Sequence, residues 1–329
     1  MVNNNSILFA LSASKKLGNN VAKYLHTKLG NIEIKHFEDG ETLVKSIDSL
    51  RNKDVYVIQS TCNPVNENLM ELLIAIDSFK RASARSINVF IPYFGYSRQD
   101  RKTDSREPIT CKLVSKLIEN SGATKVTIFD LHADQTQGFF EIPVDTVSAS
   151  YMLLKQIKKD ISLNNATIVS PDYGSVKRAR KISNLVNLPI AILDKRRPEP
   201  NKAEVINVLG NVTNKTCIII DDMIDTGGTL LAASDVLKRY KAKKIIFAAT
   251  HGLFSQNASD KLQKAIMNKK VDCIYITNTL DSVYNCKIDH LQIVDISPMI
   301  GELIKIYQGN GYKTITNLYN KTKIRKGIK

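Results

Sequence analysis

The sequence lacks the features that mark several whole classes of protein. No apolar run approaches the roughly 20 residues that a membrane-spanning helix needs. The first residues, Met1 to Asn5, lack a basic segment followed by an apolar one, so we expect no signal peptide. The five cysteines are odd in number, scattered and without paired ligand spacing. These absences favour a soluble cytoplasmic protein that has buried, reduced thiols and no membrane association.

The charge balance is basic, with 47 Lys and Arg against 32 Asp and Glu and a net charge of +15. Such an excess can indicate nucleic-acid binding. However, no basic stripe is interleaved with aromatic residues, and part of the excess lies in the lysine-rich C-terminal tail. We therefore expect no nucleic-acid partner. The length of 329 residues and the hydrophobic content of 43% favour a globular protein of about two domains.

The most informative stretch begins with a short apolar run, Cys217–Ile220, which is typical of a buried strand. Asp221 and Asp222 follow where this strand is expected to end. A Thr-Gly-Gly-Thr turn at 226–229 then opens an apolar-periodic segment that predicts a helix. Backbone amides of such a turn, together with the helix N-terminus, suit a phosphate. Since carboxylates repel bare phosphate, their expected partners are sugar hydroxyls, a metal ion or both, which favours a sugar phosphate as the ligand.

This stretch differs from the common phosphate-binding motifs. The Gly-x-Gly-x-x-Gly spacing of dinucleotide sites is missing, and no Gly-Lys-Ser/Thr of a Walker A loop follows. A structural alternative is an acidic N-terminal cap on an ordinary strand-to-helix turn. The density of three Asp, two Thr and two Gly within nine residues favours the binding site.

Alternating strand-like and helix-like segments predict an α/β fold in two similar halves. In the first half we expect strands near 7–10, 54–59, 86–93 and 125–129, and helices over 16–29 and 66–85. In the second half we expect strands near 166–170, 190–193, 217–220, 244–252 and 272–278. The boundary is expected near 145–150. A helix within 295–307 is expected to pack back on the first domain.

Two loops of the first half are candidates for nucleotide binding. The spacing at 36–42 by itself predicts a hairpin tip, since Asp-Gly favours tight turns. The functional interpretation is that Phe37 stacks on a base while Asp39 and Glu41 bind its polar edge. The loop at 96–102 follows a strand and carries cations and a glutamine suited to a polyphosphate and a purine edge. Its alternative is a solvated charged loop.

Three further segments suggest metal binding and catalysis. Asp130 and His132 lie just past a strand and could supply a carboxylate and an imidazole to one cation. Asp172 follows another strand and is a second candidate ligand. The charged, aperiodic segment 194–203 favours a mobile lid whose cations fold over a reacting phosphate. Its alternative is a surface loop without a role.

Taken in order, these segments resemble ribose-phosphate diphosphokinases of class I over nearly the whole chain. The resemblance implies two tandem type I phosphoribosyltransferase-like domains, each a mainly parallel sheet flanked by helices. Their expected limits are 1–147 and 148–294, with 295–319 packing on the first. It also implies transfer of the diphosphate of ATP to the C1 hydroxyl of ribose 5-phosphate, with Mg²⁺, giving 5-phosphoribosyl 1-diphosphate (PRPP) and AMP.

The resemblance also implies roles for individual residues. The ATP-binding residues would be Phe37, Asp39, Gly40, Glu41, Arg98, Gln99, Asp100, Arg101 and Lys102. The ribose 5-phosphate-binding residues would be Arg197, Asp221, Asp222, Asp225, Thr226, Gly227, Gly228 and Thr229. Mg²⁺ would be associated with His132, Asp172 and Asp130, and catalysis with the lid cations Lys195 and Arg197.

The family further implies a homo-oligomer, a hexamer built from dimers, with phosphate and ADP as candidate effectors. The run at 313–319 replaces the serine-rich ending that helps to form the family's regulatory site, while Arg51 and Arg81 remain as contributors. Two alternatives stay open. One is a phosphoribosyltransferase that consumes PRPP, and the other is a non-catalytic regulatory homologue.

Overall fold

A computed structural model describes residues 5–196, 205–310 and 314, with the backbone alone at 195, 196, 205 and 206. The chain divides into two compact units. The first extends to Ser148 and also includes Thr279–Asp281 and the segment that begins at Asp295. The second comprises Ala149–Asn278 and Ser282–Val294. The limits expected from the sequence stay a prediction. In the part of the chain that the structure describes, no helix has the length and apolarity to cross a membrane.

The first unit is built on a five-stranded parallel sheet and a separate two-stranded hairpin. Its strands are β1 (Ser6–Ala10), β2 (Ile32–His36), β3 (Thr42–Ser46), β4 (Asp54–Ile58), β5 (Ser86–Ile91), β6 (Lys125–Phe129) and β7 (Val144–Val147). The order in the sheet is β1-β4-β5-β6-β7, and β2 pairs with β3 in the hairpin. The central strands are apolar on both faces, as expected for a parallel sheet covered on both sides.

The helices of the first unit are α1 (Lys15–Tyr24), α2 (Val65–Arg81) and α3 (Thr110–Ser121). Phe9 of β1 stacks on Phe79 of α2 with a centroid distance of 4.9 Å, and both rings are fully buried. The carboxylate of Asp281 caps α1, because its oxygens accept hydrogen bonds from the Lys16 and Leu17 amides at 2.7 and 3.2 Å.

The second unit contains a seven-stranded sheet in the order β10-β9-β8-β11-β12-β13-β14. Its strands are β8 (Ala166–Ser170), β9 (Ile190–Arg196), β10 (Val205–Leu209), β11 (Thr216–Ile224), β12 (Lys244–Gly252), β13 (Cys273–Thr277) and β14 (Leu291–Val294). Its helices are α4 (Ser150–Asp160), α5 (Val176–Val186), α6 (Gly228–Arg239) and α7 (Ala258–Met267). Within this seven-stranded sheet, all strand pairs are parallel except β9 with β10. The expected α/β class with mainly parallel sheets is therefore confirmed.

The last described helix, α8 (Ser297–Tyr307), belongs to the first unit, although it follows the second in sequence. The Tyr307 hydroxyl contacts Asp145 Oδ2 at 2.6 Å and Thr127 Oγ1 at 2.9 Å. Lys125 Nζ lies 3.9 Å from the Tyr307 ring centroid and 2.6 Å from Asp145 Oδ2. This polar cluster attaches the end of α8 to strands β6 and β7.

The interior strand β8 is shorter than the strands on either side of it. Its last paired residue, Ser170, lies opposite Ile192 of β9, but β9 continues to Arg196. On the other side, β8 pairs with β11 only as far as Ile219, although β11 continues to Ile224. The carboxyl edge of the sheet therefore has a notch above β8, flanked by β9 and β11. Carboxyl edges of parallel sheets are where α/β proteins place ligand sites.

Candidate active site

In the first unit, the loop after β5 is fixed by its neighbour after β4. The Gly95 amide donates to Thr61 Oγ1 at 2.7 Å, and a Cβ on Gly95 would lie 2.2 Å from the Thr61 carbonyl oxygen. This close approach requires glycine. Beyond Gly95, the loop presents exposed side chains that could meet an anion at the carboxyl edge. They include Arg98, Gln99, Arg101 and Lys102.

Asp100 differs from its neighbours in this loop, because it is 9% exposed. Its Oδ2 accepts a hydrogen bond from Gln135 Nε2 at 2.6 Å. Gln135 belongs to a short 3₁₀ helix at Asp134–Phe139, so the contact joins two loops of the same edge. Gln99 is also engaged, since its Oε1 accepts from Thr110 Oγ1 at 2.5 Å. These two residues thus shape the loop, and ATP contacts by them stay a prediction.

The segment 37–41 is the tip of the β2–β3 hairpin, as its spacing predicts. The Gly40 amide donates to the Phe37 carbonyl at 2.9 Å, and Gly40 has a φ of 91°. The Glu41 amide donates to Asp39 Oδ1 at 3.1 Å. The Phe37 ring is 41% exposed, with Lys35 Nζ 4.9 Å from its centroid. An exposed ring beside a cation on a rigid turn suits stacking with a base.

The candidate metal residues belong to both units. Asp130 follows β6 with a φ of 38°, and its Oδ1 accepts from Ser148 Oγ at 2.7 Å. His132, two residues later, is exposed. Asp172 lies in the second unit, where its Oδ1 accepts from the Ser175 amide at 2.8 Å, just before α5. Within the described residues, no group of three or more His, Cys, Asp or Glu side chains could by itself hold a metal ion.

In the second unit, Asp221 and Asp222 lie within β11 rather than after it. The expectation that the strand stops at Ile220 is wrong, because β12 continues to pair with β11 as far as Gly252 opposite Ile224. Both carboxylates lie beyond the end of β8 and so flank the notch. The Asp222 side chain is 5% exposed and that of Asp221 is 18% exposed.

One arginine of α5 contacts both carboxylates. Arg178 Nη1 lies 2.6 Å from Asp221 Oδ1 and 2.8 Å from Asp222 Oδ1. Burial first, and then the negative charge of Asp222, raise the pKa of Asp221 to about 7, while the charge of Arg178 acts in the opposite direction. The pair is therefore able to bind a proton near neutral pH.

The turn after β11 leads directly into helix α6 through a glycine in the left-handed region. Gly227 has a φ of 76° and directly precedes α6, which begins at Gly228. Gly228 and Thr229 are exposed, while Asp225 and Thr226 are half-buried. The first turn of α6 is thus exposed at Gly228 and Thr229, a few residues after the carboxylate pair in the chain. Such amides and the helix dipole attract an anion.

Alanine at Gly227 and at Gly228 should have different effects. Gly227→Ala forces a side chain into the left-handed region, so we expect a loss of about 1–2 kcal/mol in stability. A Cβ on Gly228 would lie 3.8 Å from its nearest atom, and the backbone there has no positive φ. Gly228→Ala should therefore not lower the melting temperature. Thermal unfolding of the two variants measures the difference, and equal melting temperatures would contradict it.

The segment 194–203, for which the sequence predicts a lid, is described only in part. Lys195 lies in β9 opposite Ile206 of β10, so the strand continues three residues beyond the expected end at Leu193. Arg197 and the rest of the segment to residue 204 lie outside the described residues, as does the run at 313–319 apart from Thr314. The backbone at Lys195 lies beyond the end of β8 and beside the notch.

Sequence reasoning missed two residues of the site. The helix α5 carries four cations, Lys177, Arg178, Arg180 and Lys181. Such a basic run predicts a solvated face for most of them, and three of the four are exposed. Arg178 instead turns towards β11. Gln135 was not selected at all. No local signal marks either residue, because their partners are 43 and 35 positions away in sequence.

Comparison with known proteins agrees with this arrangement. Residues 6–122 match the family model described as the N-terminal domain of ribose phosphate pyrophosphokinase, and residues 147–287 match the phosphoribosyl transferase domain. The ribose-phosphate pyrophosphokinase of Ureaplasma parvum is 50% identical over 94% of this chain and 93% of its own. That of Mycoplasma genitalium is 47% identical over 93% and 92%.

A crystal structure of phosphoribosylpyrophosphate synthetase from Mycobacterium smegmatis matches with a TM-score of 0.86 and 37% identity. The match covers 94% of this chain and 100% of that one. The family resemblance, the expected fold and the enzymatic class are thereby confirmed. The chain belongs to the ribose-phosphate pyrophosphokinase family.

Proposed function

We propose that this protein transfers the diphosphate of ATP to the C1 hydroxyl of ribose 5-phosphate, giving PRPP and AMP. The observation that carries this proposal is the continuous segment from Asp221 to Thr229. It places two carboxylates, suited to sugar hydroxyls, next to the exposed N-terminus of α6, which is suited to the 5-phosphate. The relatives favour this enzyme over a phosphoribosyltransferase or a regulatory homologue.

The first unit is proposed to bind ATP. Its exposed cations after β5 include Arg98, Arg101 and Lys102, and they suit the polyphosphate. Phe37 at the hairpin tip suits adenine, and Asp39 and Glu41 suit its polar edge. We propose that Gln99 and Asp100 act chiefly by shaping the loop, because both side chains already form hydrogen bonds there.

Asp130 of the first unit and Asp172 of the second each offer carboxylate oxygens, which are ligands that Mg²⁺ prefers, whereas the imidazole of His132 suits it less well. Mg²⁺ is commonly bound by one or two carboxylates while it retains water and substrate phosphate oxygens, so a cage made by the protein is not required. When bound, Mg²⁺ would neutralise charge on the phosphate oxygens. Asp130 Oδ1 and Asp172 Oδ1 each accept a hydrogen bond that fixes the orientation of the carboxylate.

The reaction moves negative charge onto the oxygen that bridges the transferred diphosphate and AMP. The C1 hydroxyl attacks the β-phosphorus, the bond from that phosphorus to the bridging oxygen breaks, and the hydroxyl proton is lost. Preorganised cations lower such a barrier most where charge develops. Lys195 and Arg197 are proposed for this role, and Asp221 and Asp222 for holding the ribose hydroxyls.

Release of AMP measures the proposed activity directly. We expect AMP and PRPP to form when the purified protein receives ATP, ribose 5-phosphate and Mg²⁺, and no AMP when the sugar is omitted. Consumption of PRPP with a base and without ATP would instead indicate a phosphoribosyltransferase. Absence of any turnover would favour the regulatory homologue. Varying inorganic phosphate and ADP in the same assay tests the two candidate effectors.

The KM for ribose 5-phosphate should depend on pH through Asp221. The charged groups that face Asp221 are Asp222 of the same strand and Arg178 of α5. Because the pKa of Asp221 is raised to about 7, its carboxylate accepts sugar hydroxyls above that pH and is increasingly protonated below it. KM should therefore rise when the pH is lowered from about 8 to about 6. The factor by which KM rises should be about ten times larger in the wild type than in Asp221→Asn.

The substrate's own phosphate also changes its protonation with pH, which affects KM. The comparison with Asp221→Asn cancels this effect, since both proteins bind the same sugar phosphate. An identical pH dependence in the two proteins would exclude Asp221 as the titrating group.

Assembly and location are proposed from the family resemblance. We propose a cytoplasmic homo-oligomer, a hexamer built from dimers, in which the hairpin tip with Phe37 reaches a neighbouring subunit. Arg51 and Arg81 are exposed, and Arg81 pairs with Asp77 at 2.7 Å on α2. Both stay candidates for an effector site.

The five cysteines are free thiols, with Cys62, Cys111 and Cys217 buried and the other two half-buried.

A further inference from the structure

The contact between Arg178 and the carboxylate pair joins two elements of the second unit. Asp221 and Asp222 are consecutive in β11, so a regular strand directs their side chains to opposite faces of the sheet. Nevertheless, a single nitrogen, Arg178 Nη1, lies within 2.8 Å of an Oδ1 atom on each. Both side chains are therefore drawn towards the start of α5, where they border the notch above β8.

The charges of the three side chains indicate that this contact does more than stabilise the fold. Two largely buried carboxylates on adjacent residues repel each other, and each would be more stable protonated or turned away from the other. Arginine stays charged at any physiological pH and donates several hydrogen bonds with fixed geometry. Arg178 therefore favours the state in which both carboxylates are ionised and held near each other.

Arg178 is distinguished from the other cations of its helix by this placement. The Arg178 side chain is only 23% exposed, whereas Lys177, Arg180 and Lys181 are exposed to solvent. Asp172, which precedes α5, binds the Ser175 amide and so fixes the start of the helix that carries Arg178. The arginine thus approaches the pair from a defined direction.

We infer that Arg178 is a positioning residue of the ribose-binding site. By holding one oxygen of Asp221 and one of Asp222, it sets the orientation of both carboxylates before the sugar enters. The ribose hydroxyls then meet acceptors that are already oriented, so less rearrangement is needed on binding. This inference rests on the proposed function, because it assigns the sugar hydroxyls as the groups that Asp221 and Asp222 recognise.

Kinetics of Arg178→Gln tests the inference, with Arg180→Gln as a matched control on the exposed face of the same helix. We expect KM for ribose 5-phosphate to rise about 10- to 100-fold in Arg178→Gln, because a charge-assisted contact that orients the acceptors is lost. KM for ATP should change little, and Arg180→Gln should behave as the wild type. Arg178→Lys keeps a charged donor and should restore part of the loss.

A second substrate separates positioning of the hydroxyl acceptors from a general disturbance of the site. With 2-deoxyribose 5-phosphate one hydroxyl is missing, so the decrease in kcat/KM caused by Arg178→Gln should be several-fold smaller than with ribose 5-phosphate. Equal decreases with both sugars would overturn the inference, as would kinetics of Arg178→Gln that match those of Arg180→Gln. If Arg178→Gln does not fold, the same two-sugar comparison between Arg178→Lys and the wild type decides.

Failure of the inference is distinguishable from failure of the proposed function. A wild-type protein that releases no AMP from ATP and ribose 5-phosphate would refute the function itself. An active wild type with an unaffected Arg178→Gln variant would refute only the role of Arg178.

Discussion

Replacing Asp222 by asparagine should decrease kcat/KM for ribose 5-phosphate by about 100-fold. The carboxylate is nearly buried, and hydrogen bonds to charged groups contribute about 1.5–3 kcal/mol each. The substitution keeps the shape but removes the charge, and it adds amide hydrogens where a sugar hydroxyl should donate. KM for ATP is expected to stay near the wild-type value, because Asp222 is proposed to contact the sugar hydroxyls and not ATP. Initial rates with each substrate varied in turn measure both effects.

The matched control is Asp260→Asn, an exposed aspartate on α7 of the same unit. It should leave both KM values unchanged. Asp222→Asn also alters the surroundings of Arg178, so thermal unfolding of both variants separates loss of binding from loss of folding. A proportional rise in the two KM values, or unchanged kinetics in a folded Asp222→Asn protein, would contradict the assignment of Asp222 to the sugar.

The sheets and most of their strands were predictable because local composition and tertiary burial agree. The run Cys217–Ile220 is apolar at every position and is fully buried in β11, as its composition predicts. The strand's real end was not predictable, since Asp221 and Asp222 are polar but continue to pair with β12. Whether a strand continues depends on its neighbours, which a local pattern does not reveal.

Helix ends were also misplaced where no glycine marks them. The expected helix 16–29 ends at Tyr24, because the His26 amide bonds to the Lys23 carbonyl and the Thr27 amide to the Ala22 carbonyl. His26 adopts a left-handed φ of 53° in this Schellman-type turn. The expected helix 66–85 ends in the same way, at Arg81, with Ser83 at a φ of 61°. Glycine usually announces such turns, and neither helix has it there.

Residues of the site were predictable where the chain itself brings them together. The carboxylates and the phosphate turn lie within nine consecutive residues, so one motif reveals both. Arg178 reaches the pair from another element, and Asp100 resembles a solvated loop residue until Gln135 is placed beside it. Such contacts depend on how α5 and the 3₁₀ helix pack, which no single motif contains.

The backbone of β9 places Lys195 beside the notch, where we propose that the phosphates react. Three parallel strands meet at the notch, in the order β9-β8-β11, and the middle one ends first. Lys195 therefore lies beyond the end of β8 on one side, while Asp221 and Asp222 lie beyond it on the other. The antiparallel pairing of Lys195 with Ile206 of β10 supports this extension of the strand.

Lys195→Ala should consequently lose about 100- to 1,000-fold in kcat while it still binds ATP, since removal of one preorganised charge from a developing anion typically costs this much. Single-turnover measurements at saturating ATP and ribose 5-phosphate, with ATP binding followed by calorimetry, test both parts. Lys244→Ala is the matched control, because Lys244 is an exposed lysine at the opposite, amino edge of the same sheet. Unaltered turnover would remove Lys195 from the mechanism. A raised KM for ATP with normal kcat would instead make it a binding residue, because a cation that acts on the transition state affects kcat first.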